Sequence, residues 1–205
     1  FSVAIIITSF KEPKTARAID VILSQSIDYP FRIIVSAPDL ETQRIVEKYI
    51  ANDRRISLFK DPGKGKSFAL NHLLPMIQED ILILTDGDVY VDKGAINEIV
   101  SFFLNNKIGC VTGRPIPLES RDTKYGYWAN FLFNEAHTMR KKSFHRKKFL
   151  ESSGYLFAFR NKVIYSFPLD TAEDSIISYF FYEKGYQIGY AEKARVFVKN
   201  VDNWN

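Results

Sequence analysis

The chain has 205 residues, long enough to bury one sizeable core, and its 46% hydrophobic and 25% charged residues are typical of a globular protein. A single cysteine, Cys110, excludes an internal disulfide framework and is typical of a reducing compartment, and no apolar run approaches the roughly 18 residues needed to cross a bilayer. The net charge of +4 is local, because six basic residues lie between Thr138 and Leu150 without an acid and the other 22 basic and 24 acidic residues leave −2.

The first part of the chain alternates apolar runs with amphipathic segments. Strands are predicted at Val3–Ser9, Phe31–Val35 and Ile56–Phe59, and helices at Thr15–Leu23 and Leu40–Ile50. This β-α-β-α-β order is typical of a doubly wound sheet.

A stretch rich in glycine and lysine follows, Asp61 to Ser67. A phosphate-binding loop of the usual pattern needs a glycine five residues before Gly65, where this chain has Lys60, so that motif is excluded. Flexible glycines beside two lysines still suit contact with a phosphate or a sugar, and a helix is predicted over 68–77.

The central feature is the segment Ile81 to Asp92. Its first four residues, all apolar, predict a strand buried on both faces, and the strand leads to Asp86 and Asp88 on a glycine-containing turn. Ligands in open α/β sheets bind beyond the carboxyl ends of the strands. Two close carboxylates without a basic neighbour repel each other unless a cation or a proton lies between them, so the turn predicts a divalent metal site.

The second half predicts further elements and one unusual segment. Helices are expected at 94–104 and from Glu173 to Gly185, and strands at 109–113, 152–160, 187–190 and 194–198. Acids in a first turn are also the ordinary helix-start signal, which is an alternative role for Glu173 and Asp174.

The unusual segment is aromatic at 125–133 and then basic. The basic residues alternate with Met139, Phe144 and Phe149, and this mixture predicts that 139–149 contacts an anionic membrane surface. The alternative is a solvated, mobile loop. Nucleic acid is not expected as a partner, because the rest of the surface is acidic on balance.

Five short motifs occur in a familiar order: Thr8-Ser9-Phe10-Lys11-Glu12, Gly65-Lys66-Ser67-Phe68-Ala69-Leu70-Asn71, Asp86-Gly87-Asp88, Ser153-Gly154 and Glu173-Asp174. With them the chain resembles inverting glycosyltransferases of the GT-A fold, family 2, the group of cellulose and hyaluronan synthases and dolichyl-phosphate sugar synthases. The resemblance implies a three-layer α/β/α domain with a central mixed, mostly parallel sheet over 1–205. This domain is expected to come from a longer protein with a membrane anchor.

The resemblance also implies roles for residues. The nucleotide-sugar would be bound by seven of them: Thr8, Ser9, Glu12, Ser36, Lys66, Asp86 and Gly154. Asp88 would hold Mn²⁺ or Mg²⁺ on the diphosphate, which neutralises the leaving group. Asp174 would act as general base on the acceptor hydroxyl, with Glu173 orienting it or contacting the acceptor.

The chain departs from the family at two places. The second strand of the family often ends in paired aspartates, one of which reads the base, whereas here the sequence is Ser36-Ala37-Pro38-Asp39. The Gln-x-x-Arg-Trp motif of the membrane synthases is absent before Asn205. The base is therefore open, with UDP favoured over GDP.

The expected function is transfer of a sugar from a nucleotide-sugar donor to a lipid-linked or saccharide acceptor, at the cytoplasmic face of a membrane. A haloacid-dehalogenase-like phosphatase is an alternative, because an apolar strand before Asp-x-Asp is also its signature. A sugar-nucleotide pyrophosphorylase is a weaker alternative. It needs a glycine-rich loop after the first strand, where this chain has Thr8 to Pro13. A non-catalytic nucleotide-sugar-binding domain is the third.

Overall fold

A computed structural model describes residues 1–200, which form one eight-stranded sheet with helices packed on it. The strands are β1 (Val3–Thr8), β2 (Phe31–Ala37), β3 (Ile56–Lys60), β4 (Ile81–Asp86), β5 (Tyr90–Val91), β6 (Ile108–Pro117), β7 (Leu156–Arg160) and β8 (Gln187–Val198). The helices are α1 (Thr15–Leu23), α2 (Leu40–Ile50), α3 (Lys66–Leu73), α4 (Ala95–Ser101), α5 (Lys124–His145) and α6 (Glu173–Glu183), with 3-10 turns at Leu74–Met76 and Phe102–Leu104.

The sheet is mixed and mostly parallel, as predicted. Its strand order is β3-β2-β1-β4-β7-β6-β8-β5. The first four of these strands are parallel, β7 runs antiparallel to both of its neighbours, β8 is parallel to β6, and β5 is antiparallel to β8. The carboxyl ends of β1, β2 and β4 therefore meet at one edge of the sheet.

Two hydrophobic cores cover the two faces. Alternate residues of β1 divide between them, with Val3, Ile5 and Ile7 in one core and Ala4 and Ile6 in the other. This alternation follows from the two-residue period of a strand. Helices α1, α2 and α4 contribute to the first core and α3 and α6 to the second, so the architecture is the predicted three-layer α/β/α arrangement.

Local signals located some elements accurately. Helices α1 and α2 have the predicted bounds, and α2 begins after Asp39, whose side chain accepts a hydrogen bond from the Thr42 amide. The two strands predicted at 187–190 and 194–198 are one strand, β8. It pairs with β6 through register shifts that accommodate the polar residues Glu192 and Lys193. The two-residue strand β5 is too short to show any period in the sequence.

The interpretation of the basic segment as a mobile loop is wrong for residues up to His145. Helix α5 runs continuously through the aromatic and the basic parts, and it begins after Thr123, whose side chain accepts a hydrogen bond from the Gly126 amide. Lys142 and His145 lie in its last turn, where cations interact favourably with the helix dipole. Apolar residues on both sides of the helix hide its helical period in the sequence. Within residues 1–200, no helix is both long enough and apolar enough to cross a bilayer.

Candidate active site

The strand ends of the parallel half form a cleft. Thr8 at the end of β1 is paired with Ser36 on β2 and with Asp86 on β4. The cleft has a volume of about 410 Å³, and its lining is Thr8, Ser9, Phe10, Ser36, Pro38, Asp61, Gly63, Gly65 and Lys66. Four of the residues expected to bind the nucleotide-sugar line this cleft, namely Thr8, Ser9, Ser36 and Lys66. A fifth, Asp86, adjoins it next to Thr8.

Asp86 is held by two donors. The Thr8 hydroxyl donates to Asp86 Oδ1 at 2.6 Å, and Lys66 Nζ donates to the same oxygen at 2.9 Å. The side chain of Asp86 is part-buried, and these contacts fix its position beside Thr8 and Lys66, which line the cleft. The first aspartate of the Asp-Gly-Asp turn is therefore neutralised by a lysine from another part of the chain.

Lys66 links two parts of the site. It is the first residue of α3, it follows Gly65 at φ +101°, and its Nζ lies 2.9 Å from Asp86 Oδ1 and 2.7 Å from Glu173 Oε1. Burial lowers the pKa of the Lys66 ammonium, but the two carboxylates outweigh burial, so the pKa stands above its ordinary value. Lys66 therefore stays charged at neutral pH and holds the end of β4 to the start of α6.

Asp88 has a different environment. It is exposed, and the ion pairs found within residues 1–200 do not include it. Partial loss of solvent raises the pKa of the Asp88 carboxyl, and the negative charge of Asp86 raises it further. A carboxylate whose charge is disfavoured by its surroundings is suited to a divalent cation.

The described residues do not by themselves complete a metal site. Across 1–200, no group of three or more His, Cys, Asp or Glu side chains is arranged to hold an ion. A cation at Asp88 would therefore take its other oxygen ligands from a bound substrate or from water. Magnesium and manganese, which commonly combine one or two carboxylates with phosphate oxygens, fit such a donor set.

The other end of the site is formed by Gly154 and Asp174. A Cβ atom on Gly154 would lie 2.5 Å from Asp174 Oδ2, so a larger residue at this position would displace the Asp174 carboxylate. Asp174 Oδ1 accepts a hydrogen bond from the Ser175 amide at 2.9 Å in the first turn of α6. Glu173 is buried against Lys66, so it does more than begin a helix.

Buried hydroxyl groups hold the segment before Gly154. Ser152 donates its backbone N–H to Ser178 Oγ at 2.8 Å, and Ser153 donates its N–H to Thr112 Oγ1 at 2.9 Å. Ser178 lies one turn inside α6, and Thr112 lies on β6. These bonds fix the approach of the Gly154 backbone to Asp174.

Two predicted residues have less direct positions. Ser9 is buried, and since Thr15 Oγ1 donates to the Glu12 carbonyl, the Ser9 hydroxyl is the donor in its 2.6 Å bond to Thr15 Oγ1. The hydroxyl proton of Ser9 is therefore not available to a ligand. The Glu12 carboxylate accepts from the Lys14 amide at 2.8 Å and does not line the cleft, although its charge contributes to the raised pKa of Asp88.

Two residues at the site were not assigned from the sequence. Asp61, directly after β3, lines the cleft beside Ser36, whose Oγ lies 3.5 Å from Asp61 Oδ2. Its place just after a predicted strand is the signal that indicates it. Tyr155 follows Gly154. Burial raises the pKa of its hydroxyl, and the charges of Asp88, Asp86 and Asp174 raise that pKa further.

Comparison with known proteins agrees with this geometry. The sequence profile of the family described as glycosyltransferase like family 2 matches residues 2–202. The chain is 26% identical over 191 residues to the O-antigen chain rhamnosyltransferase RfbN of Salmonella typhimurium, a match that covers 87% of this chain and 60% of RfbN.

Solved structures with the same architecture include two transferases. The mannosyltransferase PcManGT from Pyrobaculum calidifontis, in complex with GDP-Man and Mn²⁺, has a TM-score of 0.73 at 19% identity, covering 95% of this chain and 56% of that one. Residues 1–349 of TarS from S. aureus, in complex with UDP-GlcNAc, have a TM-score of 0.70 at 16% identity, covering 100% of this chain and 60% of that one. The fold is therefore the GT-A fold expected from the motifs. The chain spans about 60% of the length of these relatives.

Proposed function

Because the chain belongs to glycosyltransferase like family 2, we propose that it transfers a sugar from a nucleoside-diphosphate sugar to an acceptor hydroxyl. The proposed acceptor is lipid-linked or a saccharide, and the proposed transfer inverts the anomeric carbon. The observation that carries the proposal is the bridge made by Lys66 between Asp86 and Glu173. One cation there joins the residues proposed for the donor to the helix that carries the proposed base.

In this proposal the cleft at the ends of β1, β2 and β4 holds the nucleotide. Thr8 and Lys66 fix Asp86 so that its carboxylate faces the ribose and the diphosphate. Lys66, which stays protonated, offers a positive charge to the diphosphate as negative charge builds on the leaving group. Ser9 and Glu12 are proposed to contact the nucleotide through the loop after β1.

A divalent ion, Mn²⁺ or Mg²⁺, is proposed to bind at Asp88. When bound, it would neutralise charge on the diphosphate oxygens as the glycosidic bond breaks. Support comes from the unpaired carboxylate of Asp88 beside Asp86, and PcManGT was solved with Mn²⁺. The chain would supply the Asp88 carboxylate, which forms no ion pair with a lysine or arginine among the described residues.

Asp174 is proposed as the general base. Its carboxylate would accept the proton of the acceptor hydroxyl while the hydroxyl oxygen forms a bond to the anomeric carbon. The bond from that carbon to the diphosphate breaks on the opposite face, so the nucleoside diphosphate leaves and the configuration inverts. Gly154 leaves room for the Asp174 carboxylate, and Glu173, held by Lys66, fixes the start of α6.

Asp61 is proposed to read the base in place of the missing paired aspartate. Both oxygens of Asp39 accept backbone amides, from Lys11 and Thr42, whereas Asp61 uses only Oδ1 in this way, for the Gly63 amide at 2.7 Å. Asp61 and Ser36 together offer one carboxylate and one hydroxyl. A carboxylate can accept from the ring N–H of uracil and also from the ring N–H and amino group of guanine. UDP remains the proposed nucleotide, and its titration against GDP is the test. The proposed location is the cytoplasmic face of a membrane.

Calorimetric titration tests this function. UDP, GDP and their sugar conjugates would be titrated with and without Mn²⁺, and one nucleotide is expected to bind at least tenfold more tightly with the metal. Asp88→Ala should lose the metal-dependent part, whereas Glu47→Ala, which removes an exposed acid on α2, should lose nothing. Asp61→Asn should weaken binding of the nucleotide more than binding of pyrophosphate.

Three results would contradict the proposal in different ways. Equal affinity with and without Mn²⁺ would remove the metal from the scheme. Absence of nucleotide binding together with hydrolysis of phosphate esters would favour the phosphatase. Binding without turnover of any donor would favour a non-catalytic nucleotide-sugar-binding domain.

A further inference from the structure

Helix α5 presents an apolar face to solvent. Its exposed side chains include Tyr127, Trp128, Phe131, Leu132 and Met139, whose exposed fractions range from 45% to 68%. Their spacing places them on one side of a helix with 3.6 residues per turn. The Trp128 ring packs edge-on against both Tyr127 and Phe131, at 5.7 and 5.9 Å between ring centroids. We call these five residues the aromatic face.

The opposite, inner side of α5 packs on the domain. On the inner side, His137 Nδ1 lies 2.8 Å from the Tyr190 hydroxyl of β8, and Lys141 pairs with Glu192 at 2.8 Å. Arg140 Nε donates to the backbone carbonyl of Glu151 at 2.9 Å. Helix α5 is thus held firmly to the domain while its apolar side chains point outward.

The same side of the helix continues into a basic end. Lys142 and Arg146 follow the aromatic face at helical spacing, and Lys147 and Lys148 come directly after the helix, all four of them exposed. Within residues 1–200, the ion pairs found do not include these four, whereas Arg140 and Lys141 contact the protein. Glu135 is the one acid in α5; it is exposed and lies between Phe131 and Met139 at helical spacing, so it offsets one of the four positive charges. We call these four residues the basic end.

We propose that the aromatic face and the basic end together dock this domain on an anionic lipid bilayer. A helix that lies in a membrane interface combines tryptophan, phenylalanine and leucine with lysine and arginine, because the rings enter the headgroup region while the cations meet acidic headgroups. Each basic residue near an anionic surface strengthens binding about fivefold. Four unpaired cations beside five exposed apolar side chains fit this occupant by charge and by polarity.

The structure also corrects the segment expected to meet lipid. The docking surface begins at Tyr127, well before residue 139, and it does not include Phe144, which packs against the second core and against Phe102. Arg140 is likewise turned inward. Two of the six basic residues, Arg140 and Lys141, therefore contact the domain, and the other four face outward.

The docking surface lies behind the acceptor end of the site. On the inner side of α5, the Phe133 ring packs on Tyr155 at 6.0 Å, and Tyr155 adjoins Gly154, which contacts Asp174. A bilayer against the outer side of α5 would lie roughly one helix diameter, about 10 Å, from this end of the cleft. This consequence rests on the proposed function, and it favours a lipid-linked acceptor over a free saccharide. The docking surface itself stands on its own contacts.

Vesicle binding tests the surface without any transferase assay. The protein would be sedimented with vesicles of phosphatidylcholine alone and of phosphatidylcholine mixed with phosphatidylglycerol. We expect binding to the mixed vesicles to be at least tenfold stronger and to weaken as salt is added. Equal partitioning to the two kinds of vesicle, or binding to neither, would overturn the proposal.

Matched variants test whether vesicle binding depends on α5 or on exposed basic and apolar residues anywhere on the surface. Lys142→Gln with Arg146→Gln should reduce binding to mixed vesicles about 25-fold, whereas Arg44→Gln with Lys48→Gln, an exposed basic pair of the same spacing on α2, should change it little. Trp128→Ala with Leu132→Ala should reduce it as well, whereas the exposed pair Tyr165→Ala with Leu169→Ala should not. Equal losses in the control variants would refute the assignment to α5.

Tryptophan fluorescence gives a second readout. The chain has two tryptophans, Trp128 and Trp204, so in Trp204→Phe the emission reports on Trp128 alone. A blue shift on addition of mixed vesicles is expected. Concentration-dependent dimerisation that buries Trp128, without a shift on vesicles, would instead make this face an interface between two copies. The vesicle experiments involve no nucleotide, and the nucleotide titration does not involve α5. The proposed function can therefore fail while the vesicle result stands, and the reverse.

Discussion

The two ends of the cleft are built differently. At the donor end, Thr8, Ser36 and Asp86 lie on adjacent parallel strands, and the hydrogen-bond ladder sets their spacing. At the acceptor end, Gly154 comes from a segment before β7 and Asp174 from the first turn of α6, and they meet only through tertiary packing. The donor end is therefore as rigid as the sheet, whereas the acceptor end depends on how a loop and a helix dock.

This difference suits a division of labour. A nucleoside diphosphate is a constant group, and a site on strand ends can hold it in a constant geometry. Acceptors vary, and loops and helix ends tolerate variation in sequence and position more readily than strands. Lys66 is the one described side chain that forms an ion pair with both ends, so it tests whether they act separately.

The largest expected effect is at the acceptor end. Asp174→Asn removes the proposed base while keeping its size, so transfer should fall by a factor of about 10² to 10⁴. Nucleotide affinity should be unchanged, because Asp174 does not line the donor cleft. Initial rates of nucleoside diphosphate release and calorimetric titration would measure the two quantities. Transfer at the original rate would remove Asp174 from the mechanism.

Lys66→Gln should disturb both ends together. The change leaves Asp86 and the buried Glu173 without their shared cation, and breaking such a pair destabilises the fold by about 2–3 kcal/mol. Urea unfolding would measure this loss, and both nucleotide affinity and transfer should decrease. The matched control is Lys64→Gln, an exposed lysine in the same loop, which should leave all three quantities nearly unchanged.

The wild-type Lys66 contribution also predicts a pH dependence. Because the folded pKa of Lys66 is raised, its stabilisation should be complete below the ordinary lysine value of 10.5 and should be lost as pH rises through the folded pKa. The difference in unfolding free energy between wild type and Lys66→Gln should thus be constant from neutral pH to about pH 10. A difference that disappears near neutral pH would contradict the ion-pair bridge.

Gly154→Ala should affect the acceptor end alone. A Cβ atom 2.5 Å from Asp174 Oδ2 forces the carboxylate to move, and we expect transfer to fall about tenfold with little change in nucleotide affinity. Gly63→Ala offers a comparison at the donor end, since its Cβ would lie 3.6 Å from Pro38 but its φ of +73° favours glycine. If Gly154→Ala weakened nucleotide binding as strongly as transfer, the two ends would not be separable.

The smallest effect concerns Asp88 in the absence of metal. An acid whose folded pKa is raised destabilises the folded state above that pKa, and the penalty fades as pH falls toward the unfolded value near 3.8. Asp88→Asn should therefore stabilise the metal-free protein at pH 7 by less than about 1 kcal/mol, since the side chain is exposed. The gain should decrease through pH 4 and vanish only about one unit below the unfolded value, as thermal unfolding would show. A loss of stability at pH 7 would show that Asp88 is held by a partner.

Several features were available from the sequence because they depend on near neighbours. The bounds of α1 and α2 follow from helical spacing and from the cap at Asp39, and the apolar run before Asp86 identifies a buried central strand. The Asp-Gly-Asp turn and the order of the motifs were sufficient to indicate the family. Sequence also indicated that Gly154, Glu173 and Asp174 belong to a site.

Tertiary structure alone decided how these pieces meet. Nothing local to Lys66 indicates that its ammonium lies between Asp86 and Glu173, and the composition of 124–145 does not reveal which side of α5 is docked. The place of Asp61 beside Ser36 follows from the pairing of β3 with β2. Such contacts depend on strand order and on the docking of helices across the sheet, which are set by the packing of the whole core. Helical periods and caps, in contrast, are determined within a few residues and can be read directly from the chain.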